Sequence, residues 1–254
     1  MVDATLLFAG ELAGLLTRKH HSGLVRYPAA RRASIKDVVE SLGVPHTEIH
    51  GIRANGRDHD FSLLLEPGQE VALLPADLCP AYPVDVTIPT LLRPRPLSAL
   101  RFLVDENVAG LVPLLRALGF DAAYDRAWDD ARIAEVAARE GRVVLSRDRA
   151  LLKRSVVTCG RLVRAALPDE QLVEVLGLFG VTRAPALFSR CLRCNVKTVA
   201  VNKADVMHRL EPKTKKYFST FKECPMCGRL YWRGSHHARL VERFAALGIA
   251  TAAE

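Results

Sequence analysis

Acidic residues stand at the ends of short apolar runs in the middle of the chain, a spacing that could build a metal site. Asp105 follows "RFLV" directly, and Asp148 follows "VVLS" after one arginine. Asp129 and Asp130 lie between them, at the start of an amphipathic segment. Carboxylates that converge repel one another unless cations neutralise them, and hard oxygen ligands select Mg²⁺ or Mn²⁺. Such ions activate water and stabilise the charge that develops on a cleaved phosphodiester, so the pattern predicts metal-dependent phosphodiester hydrolysis.

Each of these acids also has a purely structural explanation. Asp130 could cap one helix and Asp148 the next, because short acidic side chains accept hydrogen bonds from the free N–H groups at a helix N-terminus. For any single acid, capping is the better interpretation. Two strand-end acids with an acidic pair between them favour the metal site.

Four of the six cysteines form two Cys-x-x-Cys pairs, "CLRC" (Cys191, Cys194) and "CPMC" (Cys224, Cys227). Two such pairs supply four thiolates in a tetrahedral arrangement, as closed structural Zn²⁺ sites require. Disulfides, which are rare in the cytosol, and redox-active pairs are the competing interpretations. We expect structural zinc here, and we expect the other two cysteines to be small hydrophobic residues.

The segment 101–187 must position the acids, and its apolar pattern alternates between strands and helices. "RFLVD", "FDAAY", "RVVLS" and "GRLVRA" are typical of strands, and amphipathic helical patterns separate them. This alternation implies parallel βαβ units in a three-layer α/β/α sandwich. Parallel strands end at one edge of the sheet, where ligands bind, so Asp105 and Asp148 should meet there.

Residues 1–78 are predicted to form a separate α+β unit. "TLLFAG" and "GLVRYP" are strand-like, Ser34-Ile-Lys-Asp37 is a capping box, and Asn55-Gly56 is a tight-turn signal. Two strands, one helix and further strands is the order of a β-grasp fold. Residues 79–100 contain five prolines and no helical period, which predicts a linker. Residues 188–254 would then form a zinc ribbon with a C-terminal helix.

Charge is distributed unevenly over the 254 residues. Residues 1–100 hold 10 basic and 11 acidic side chains, whereas residues 101–254 hold 26 basic and 17 acidic ones. A basic region of this kind indicates a polyanionic partner such as nucleic acid, or only a soluble basic surface. No apolar run approaches the ~20 residues that span a bilayer. Glu11 interrupts the apolar N-terminal stretch, so we expect no signal peptide and a soluble cytoplasmic protein.

Basic and aromatic residues alternate between the two cysteine pairs, in "EPKTKKYFSTFKE". Bases of single-stranded RNA stack on aromatic rings while lysines contact phosphates. Arg147 and Arg149 flank Asp148 and could hold a phosphate, or could simply be solvated. The remaining residues predicted to contact RNA are Lys213, Lys215, Lys216, Tyr217 and His236. A small ribbon also needs aromatic residues for its own core, and Phe221 fits that role better.

The stretch "FLVDEN…DDARIAEVAAREGRVVLSRDRALLKR" resembles PIN-like nucleases, and most closely the Mut-seven C-terminal (Mut7-C) RNase domain. The resemblance implies an acidic site of Asp105, Asp130 and Asp148, with Asp129 assisting. Many PIN-type sites add an acid two residues beyond the last of these, where this chain has Ala150. "CPMCGRLYWRGSH" is similar to the zinc ribbon of the same family. The "IRANG" step followed by "PGQEVALLP" resembles ubiquitin-related sulfur carriers, but the chain continues past the place of their terminal Gly-Gly, so carrier chemistry should be absent.

Two hypotheses follow for the whole chain. The first is a Mg²⁺- or Mn²⁺-dependent ribonuclease in which the zinc ribbon assists RNA binding. The second is a non-catalytic RNA-binding or adaptor protein that recruits a protein partner through the ubiquitin-like domain. Ala150 favours the second hypothesis.

Overall fold

The computed structural model describes residues 2–17, 20, 22–29 and 32–251, which form three β-sheets with helices between and around them. A five-stranded sheet lies in the N-terminal part, a four-stranded sheet in the middle and a three-stranded sheet near the C-terminus. This architecture confirms the predicted fold class, a β-grasp unit followed by a parallel α/β unit and a cysteine ribbon. Within the described residues no helix is long and apolar enough to cross a membrane.

The N-terminal sheet has the strand order β2-β1-β5-β3-β4, with β1 parallel to β5 and the other neighbours antiparallel. Its elements are β1 (Ala4–Phe8), β2 (Leu24–Tyr27), α1 (Ile35–Ser41), β3 (Gly51–Ala54), β4 (Arg57–Asp58) and β5 (Glu70–Leu74). Ser34 caps α1 by accepting a hydrogen bond of 3.2 Å from the Asp37 N–H. Asn55 and Gly56 both have positive φ, as a tight turn between β3 and β4 requires.

The central sheet has the order β7-β6-β8-β9, and all its strands are parallel. Its elements are β6 (Phe102–Val104), α2 (Leu111–Leu118), β7 (Ala122–Ala123), α3 (Asp130–Glu140), β8 (Val143–Ser146), α4 (Arg149–Leu152), β9 (Gly160–Leu162) and α5 (Pro168–Leu178). Gly119 and Gly141 end α2 and α3 with positive φ, where glycine avoids a Cβ clash. The chain leaves β6 toward β7 on one side and returns to β8 on the other. The carboxyl ends of β6 and β8 therefore form the topological switch point, where open α/β sheets bind ligands.

The two faces of the central sheet are covered by different partners. One face packs against α2, α5 and the last helix, whereas the other packs against α3, α4 and the core of the N-terminal unit. Leu103, Val144 and Leu162 belong to the same apolar cluster as Leu6, Ile35 and other N-terminal residues. The β-grasp unit therefore supplies part of the hydrophobic cover of the central sheet.

Residues 79–100 contain no helix or strand but pack against the protein. Val86 is buried in the core of the central unit, and the Val84 N–H donates to the Leu178 carbonyl over 2.9 Å. The Leu97 N–H donates to the Val86 carbonyl over 2.8 Å. The segment predicted as a linker is thus a fixed strap along the central unit.

The C-terminal part is a small antiparallel sheet of order β10-β11-β12, followed by a helix. Its elements are β10 (Val199–Val201), α6 (Lys203–Val206), α7 (Pro212–Tyr217), β11 (Phe221–Glu223), β12 (Leu230–Tyr231) and α8 (Ser235–Ala246). Phe221 is 1% exposed and forms the ribbon core with Val206 and Leu210. Phe244 of α8 is fully buried in the central core, which ties the C-terminal helix to the α/β unit.

Candidate active site and metal centre

Asp105 ends β6 and is 8% exposed, with both carboxylate oxygens hydrogen-bonded. Oδ1 accepts from the Glu106 N–H over 2.7 Å. Oδ2 accepts from the Asn107 amide over 2.6 Å and from the Ser146 hydroxyl over 2.6 Å. Neutral donors alone hold a carboxylate that is expensive to bury. Oδ1 accepts one hydrogen bond and retains a lone pair that a cation could use, whereas Oδ2 already accepts two.

Asp148 lies just beyond β8, next to the same serine. Its backbone N–H donates to the Ser146 Oγ over 2.8 Å, and its Oδ1 accepts from the Ala150 N–H over 2.6 Å. Asp148 is therefore the N-cap of the short helix α4, which confirms the capping role considered for it from the sequence. The cap uses one carboxylate oxygen and leaves the other available, so capping and a role in the site are compatible.

Asp129 and Asp130 have different environments although they are adjacent. Asp129 is the exposed N-cap of α3, and its Oδ1 accepts from the Arg132 N–H over 2.8 Å. Asp130 is more buried, and this burial, together with the charges of Asp148 and Asp105, raises the pKa of its carboxyl; Arg154 acts in the opposite direction. The structure thus brings Asp130 into the field of both strand-end acids.

The three acids interact as like charges that Arg154 offsets only in part, and they are not a closed ligand set. Among the described residues, no basic side chain forms an ion pair with Asp105, Asp130 or Asp148. Their oxygens do not all approach within 4.8 Å of one another, unlike the four cysteine sulfurs. An oxygen donor set that carries excess negative charge suits a hard divalent cation with part of its water shell, since Mg²⁺ usually keeps several waters. Ala150, which has no acidic side chain to add to this group, contributes its backbone N–H to Asp148 Oδ1.

The two arginines that flank Asp148 differ in what they contact. Arg149 donates from Nη1 to the Leu15 carbonyl over 2.6 Å and to the Gly43 carbonyl over 3.3 Å, so it fastens the β-grasp unit to α4. Arg147 is exposed and donates to the Ala165 carbonyl over 3.3 Å. Arg147 therefore remains more available to a phosphate at this sheet edge than Arg149 does.

The sequence analysis missed two residues that organise the acids. Asn107 links Asp105 to the next strand, because its Oδ1 accepts from the Arg147 N–H over 3.0 Å. Ser146, which is fully buried, contacts both strand-end acids. Each lies two residues from a predicted acid, and for Ser146 the available signal was a polar residue at the end of the otherwise apolar strand β8.

The four sulfurs of Cys191, Cys194, Cys224 and Cys227 all lie within 4.8 Å of one another. The Cys191 and Cys227 sulfurs are 3.7 Å apart, close to the ~3.8 Å expected between tetrahedral ligands at Zn–S bonds of ~2.3 Å. Cys191 Sγ also accepts from the Tyr231 hydroxyl over 3.1 Å. The described residues contain no other group of three or more His, Cys, Asp or Glu ligand atoms this close. The donor set can bind a metal ion such as zinc.

The first cysteine pair docks on the edge of the central sheet opposite to the acids. Asn195 accepts from the Ala122 N–H over 3.1 Å and donates to Asp121 over 2.6 Å, at the start of β7. Arg116 donates to the carbonyls of Leu192 and Arg193 over 2.9 and 2.7 Å. The metal centre thus supports the amino-terminal edge, whereas Asp105 follows the carboxyl end of β6.

The residues predicted to contact RNA lie on exposed parts of the ribbon and on α8. Lys213, Lys215, Lys216 and Tyr217 all belong to α7, and Tyr217 is 68% exposed with the Lys216 Nζ 5.4 Å from its ring centroid. His236 is exposed in the first turn of α8. Ser235 is the first residue of that helix, and Gly234 occupies the cap position. Trp232 crowds that glycine, since a Cβ added there would lie 2.6 Å from the indole nitrogen.

Comparison with known proteins places these features in a family. The Mut7-C RNAse domain matches residues 100–244, and the Mut7-C ubiquitin domain matches residues 1–78. A human protein described as "Exonuclease mut-7 homolog" is 32% identical over 198 residues, which cover 75% of this chain and 21% of the human protein. The chain thus spans about a fifth of the length of this relative. No solved structure shows a significant match. The chain is a member of the Mut7-C RNAse-domain family, with a Mut7-C ubiquitin domain preceding the RNAse domain.

Proposed function

We propose that this protein is a nuclease, and specifically a Mg²⁺- or Mn²⁺-dependent ribonuclease that hydrolyses RNA phosphodiester bonds. The observation that carries the proposal is that Ser146 contacts both Asp105 and Asp148 at the switch point of the parallel sheet. Burial and the charges of these two acids raise the pKa of the Asp130 carboxyl, which supports a role for Asp130 at the same site. Membership of a family of RNAse domains and the human relative described as an exonuclease support the reaction class.

The acids of the proposed site and their neighbours would have different roles. Ser146 and Asn107 hold Asp105 Oδ2 in one orientation, so one carboxylate is fixed before any ligand arrives. Asp148 has one oxygen bound to the α4 backbone and one available, and Asp130 supplies a third carboxylate. Asp129 assists by fixing the start of α3. A divalent ion held by these acids would activate water and stabilise the charge on the phosphate.

Substrate binding would extend beyond the acids. Arg147 lies at the same sheet edge, and α7 adds Lys213, Lys215, Lys216 and Tyr217, which suit phosphates and one stacked base. Zinc held by the four cysteines would keep the ribbon folded. The first cysteine pair docks on the far edge of the sheet, so α7 would contact RNA outside the scissile region. The ubiquitin-like domain is proposed to bind a protein partner.

A second candidate function is an RNA-binding or adaptor protein that does not cleave. Two points favour it: Ala150 stands where the family resemblance leads one to expect an acid, and the three carboxylates do not form a compact ligand group. In this case the acids would bind no divalent ion, and the protein would release bound RNA without having cleaved it.

One experiment separates the two functions. Wild-type protein, Asp105→Asn and the exposed control Asp77→Asn would be incubated with pooled cellular RNA, with and without added Mn²⁺. Mn²⁺ binding would be measured in parallel by electron paramagnetic resonance. We expect cleavage and Mn²⁺ binding in the wild type and in Asp77→Asn, and loss of both in Asp105→Asn. Leaving out Mn²⁺ is preferable to a chelator, because chelators also remove zinc. Equal cleavage by Asp105→Asn contradicts the assignment.

A further inference from the structure

A cavity of about 310 Å³ lies at the junction of the β-grasp unit, the strap 79–100 and the central sheet. Val143, which begins β8, and Gly160, which begins β9, form part of its wall. The cavity is therefore at the amino-terminal edge of the sheet, whereas the acids follow the carboxyl ends of the strands. It is separate from the proposed nuclease site.

Arg93 of the strap lines this cavity and forms no close ion pair, although its charge, after the hydrogen bonds from Thr87, contributes to the lowered pKa of the neighbouring Asp85 carboxyl. Its backbone is fixed by a pair of hydrogen bonds with Thr90, of 3.1 and 3.0 Å. Its Nη2 donates to the Asp85 carbonyl over 2.9 Å and to the Ile88 carbonyl over 3.5 Å, and the guanidinium also interacts with the Cys159 thiol. Its Nε is buried and has no hydrogen-bond partner. No carboxylate of a described residue lies within 4 Å of the guanidinium. The Asp85 carboxylate instead accepts from the Thr87 N–H and hydroxyl, over 2.8 and 2.6 Å.

Further polar groups of the wall also lack partners. The Thr47 hydroxyl oxygen is buried without a hydrogen bond, in a side chain that is only 7% exposed. The His50 ring makes no hydrogen bond to another described residue. Burial and the charge of Arg93 lower the pKa of His50 to about 4, so its ring is neutral near pH 7 and offers one donor and one acceptor. Buried donors without partners are rare in folded proteins and indicate that something else satisfies them.

Much of the remaining wall is apolar, with Ile49, Phe61, Val84, Val86 and Phe179, while His46, Asp85, Thr90 and Thr158 add polar groups to it. A volume of about 310 Å³ is at the small end of the ~300–1,000 Å³ range of ligand pockets. The space suits a compact molecule and excludes a polynucleotide chain. A guanidinium that has no close ion pair and keeps a buried N–H without a partner favours an anionic ligand group, because carboxylates and phosphates match its donors.

We propose that this cavity binds a small organic anion, with a carboxylate or phosphate on Arg93 and an apolar body against the aromatic and aliphatic wall. Thr47 and His50 would complete the polar end of the site. The ligand would join the strap, the β-grasp unit and the sheet, since all three contribute to the wall. This site would exist whether or not the protein cleaves RNA.

The test uses the full chain with zinc present and two probes, phenyl phosphate and phenylacetate, which distinguish the two anionic groups. Calorimetric titration would compare wild type with Arg93→Met and with Arg95→Met, an exposed arginine two residues along the same strap. We expect at least one probe to bind the wild type and Arg95→Met equally, and to bind Arg93→Met at least tenfold more weakly. A tenfold loss corresponds to about 1.4 kcal/mol, just under the ~1.5–3 kcal/mol of a charge-assisted hydrogen bond.

A second measurement locates the probe. Binding should shift the imidazole proton resonances of His50, assigned with His50→Gln, and should leave those of the exposed His236 unchanged. Circular dichroism of each variant checks folding. Absence of binding by both probes, or equal binding by Arg93→Met with an unshifted His50 signal, would show that the cavity is only a packing defect.

Discussion

The Ser146 hydroxyl donates a hydrogen bond of 2.6 Å to Oδ2 of Asp105, an acid on the neighbouring strand. The Ser146 oxygen also accepts the Asp148 N–H over 2.8 Å. One buried side chain therefore sets the positions of both strand-end acids. Because β6 and β8 are parallel neighbours, their carboxyl ends are adjacent, and a short hydroxyl is long enough to join them.

Replacing Ser146 by alanine should loosen both acids. Asp105 would lose one of its donors and the Asp148 N–H its acceptor, in a place with no access to water. We expect the free energy of unfolding to fall by about 1–3 kcal/mol, as for other buried polar groups left without a partner. At a temperature well below the unfolding midpoint, Mn²⁺ affinity should also fall, which a purely structural role would not cause. Ser155→Ala, at an exposed position of the next loop, is the control. Unchanged Mn²⁺ affinity in Ser146→Ala would contradict the positioning role.

Asp130 should make stability depend on pH in a recognisable direction. The pKa of Asp130 is higher in the folded protein than in the unfolded chain. Ionised Asp130 therefore lowers the free energy of unfolding at pH values above the raised pKa. Below the ordinary aspartate pKa, the side chain is protonated in both states and has no such effect. Without divalent ions, Asp130→Asn should therefore be more stable than the wild type at pH 7. The difference should shrink as the pH falls through the raised pKa. Thermal unfolding from pH 3.5 to 7.5 measures this.

The neighbouring change Asp129→Asn is the matched control, since asparagine caps a helix about as well as aspartate does. It should show much less stabilisation at pH 7. Added Mn²⁺ should reverse the order for Asp130→Asn, because the cation would stabilise only the wild-type cluster. An Asp130→Asn variant that is less stable than wild type at pH 7 without metal would contradict a cluster of like charges that Arg154 offsets only in part.

Sequence patterns predicted the local features of this protein better than the contacts between distant segments. A few adjacent residues were enough to predict the strand ends before Asp105 and Asp148, the helix cap at Ser34 and the tight turn at Asn55. The structure has each of these features at the predicted residue. Arg149 was predicted to contact phosphate, yet it donates to the Leu15 carbonyl, more than 130 residues earlier. Such pairs leave no periodic signal in a single sequence. The same reason explains why the strap was predicted as a linker.

The ion network between the β-grasp unit and β9 should contribute strongly to stability. Glu48 is 2% exposed, and its Oε2 lies 3.2 Å from the Arg161 Nη1 and 2.7 Å from the Arg164 Nη2. Its Oε1 accepts from the Leu162 N–H over 2.7 Å. Removing one partner of a buried ion pair typically costs ~3–5 kcal/mol. Arg161 retains other carboxylates in Glu11 and Glu174, so we expect about 3 kcal/mol for Glu48→Ala.

Urea unfolding would measure that loss against Glu66→Ala as the control. Glu66 pairs with Arg32 over 3.8 Å on the surface, where both side chains are largely exposed, so its loss should cost less than ~1 kcal/mol. Limited proteolysis should also find new cuts in the N-terminal unit of Glu48→Ala. Equal stability of the two variants would mean that the apolar contacts alone hold the units together.

The exposed helix α7 should contribute to RNA affinity through charge. Changing Lys213, Lys215 and Lys216 together to glutamine removes three positive charges and keeps polar side chains at all three positions. Binding of a single-stranded RNA should weaken, and the slope of log K against log salt should become shallower by about 0.7 for each phosphate that the variant no longer neutralises. Tyr217→Ala should instead weaken binding with little change in that slope. If the salt slope stays the same in the triple variant, α7 does not contact the RNA backbone.

The final prediction concerns zinc and the folding of the ribbon. Its own core has only three buried apolar side chains among the described residues, Val206, Leu210 and Phe221, so metal binding should supply much of its folding free energy. Cys224→Ser should therefore unfold the ribbon. It should also remove the support that Asn195 gives to Ala122 and Asp121 at the start of β7.

Cys79→Ser, outside the ribbon, is the matched control and should retain metal. Metal analysis should find about one zinc per chain in the wild type and in this control. Limited proteolysis of Cys224→Ser should cut within 188–235 first and leave β6, β8 and β9 protected, because those strands lie in the two larger cores. Cleavage of a short RNA should then survive better than binding of a long one, since the acids stand at the opposite edge of the sheet. Wild-type protein that contains no zinc when purified from metal-replete cells, or a Cys224→Ser ribbon that resists protease, would contradict this account.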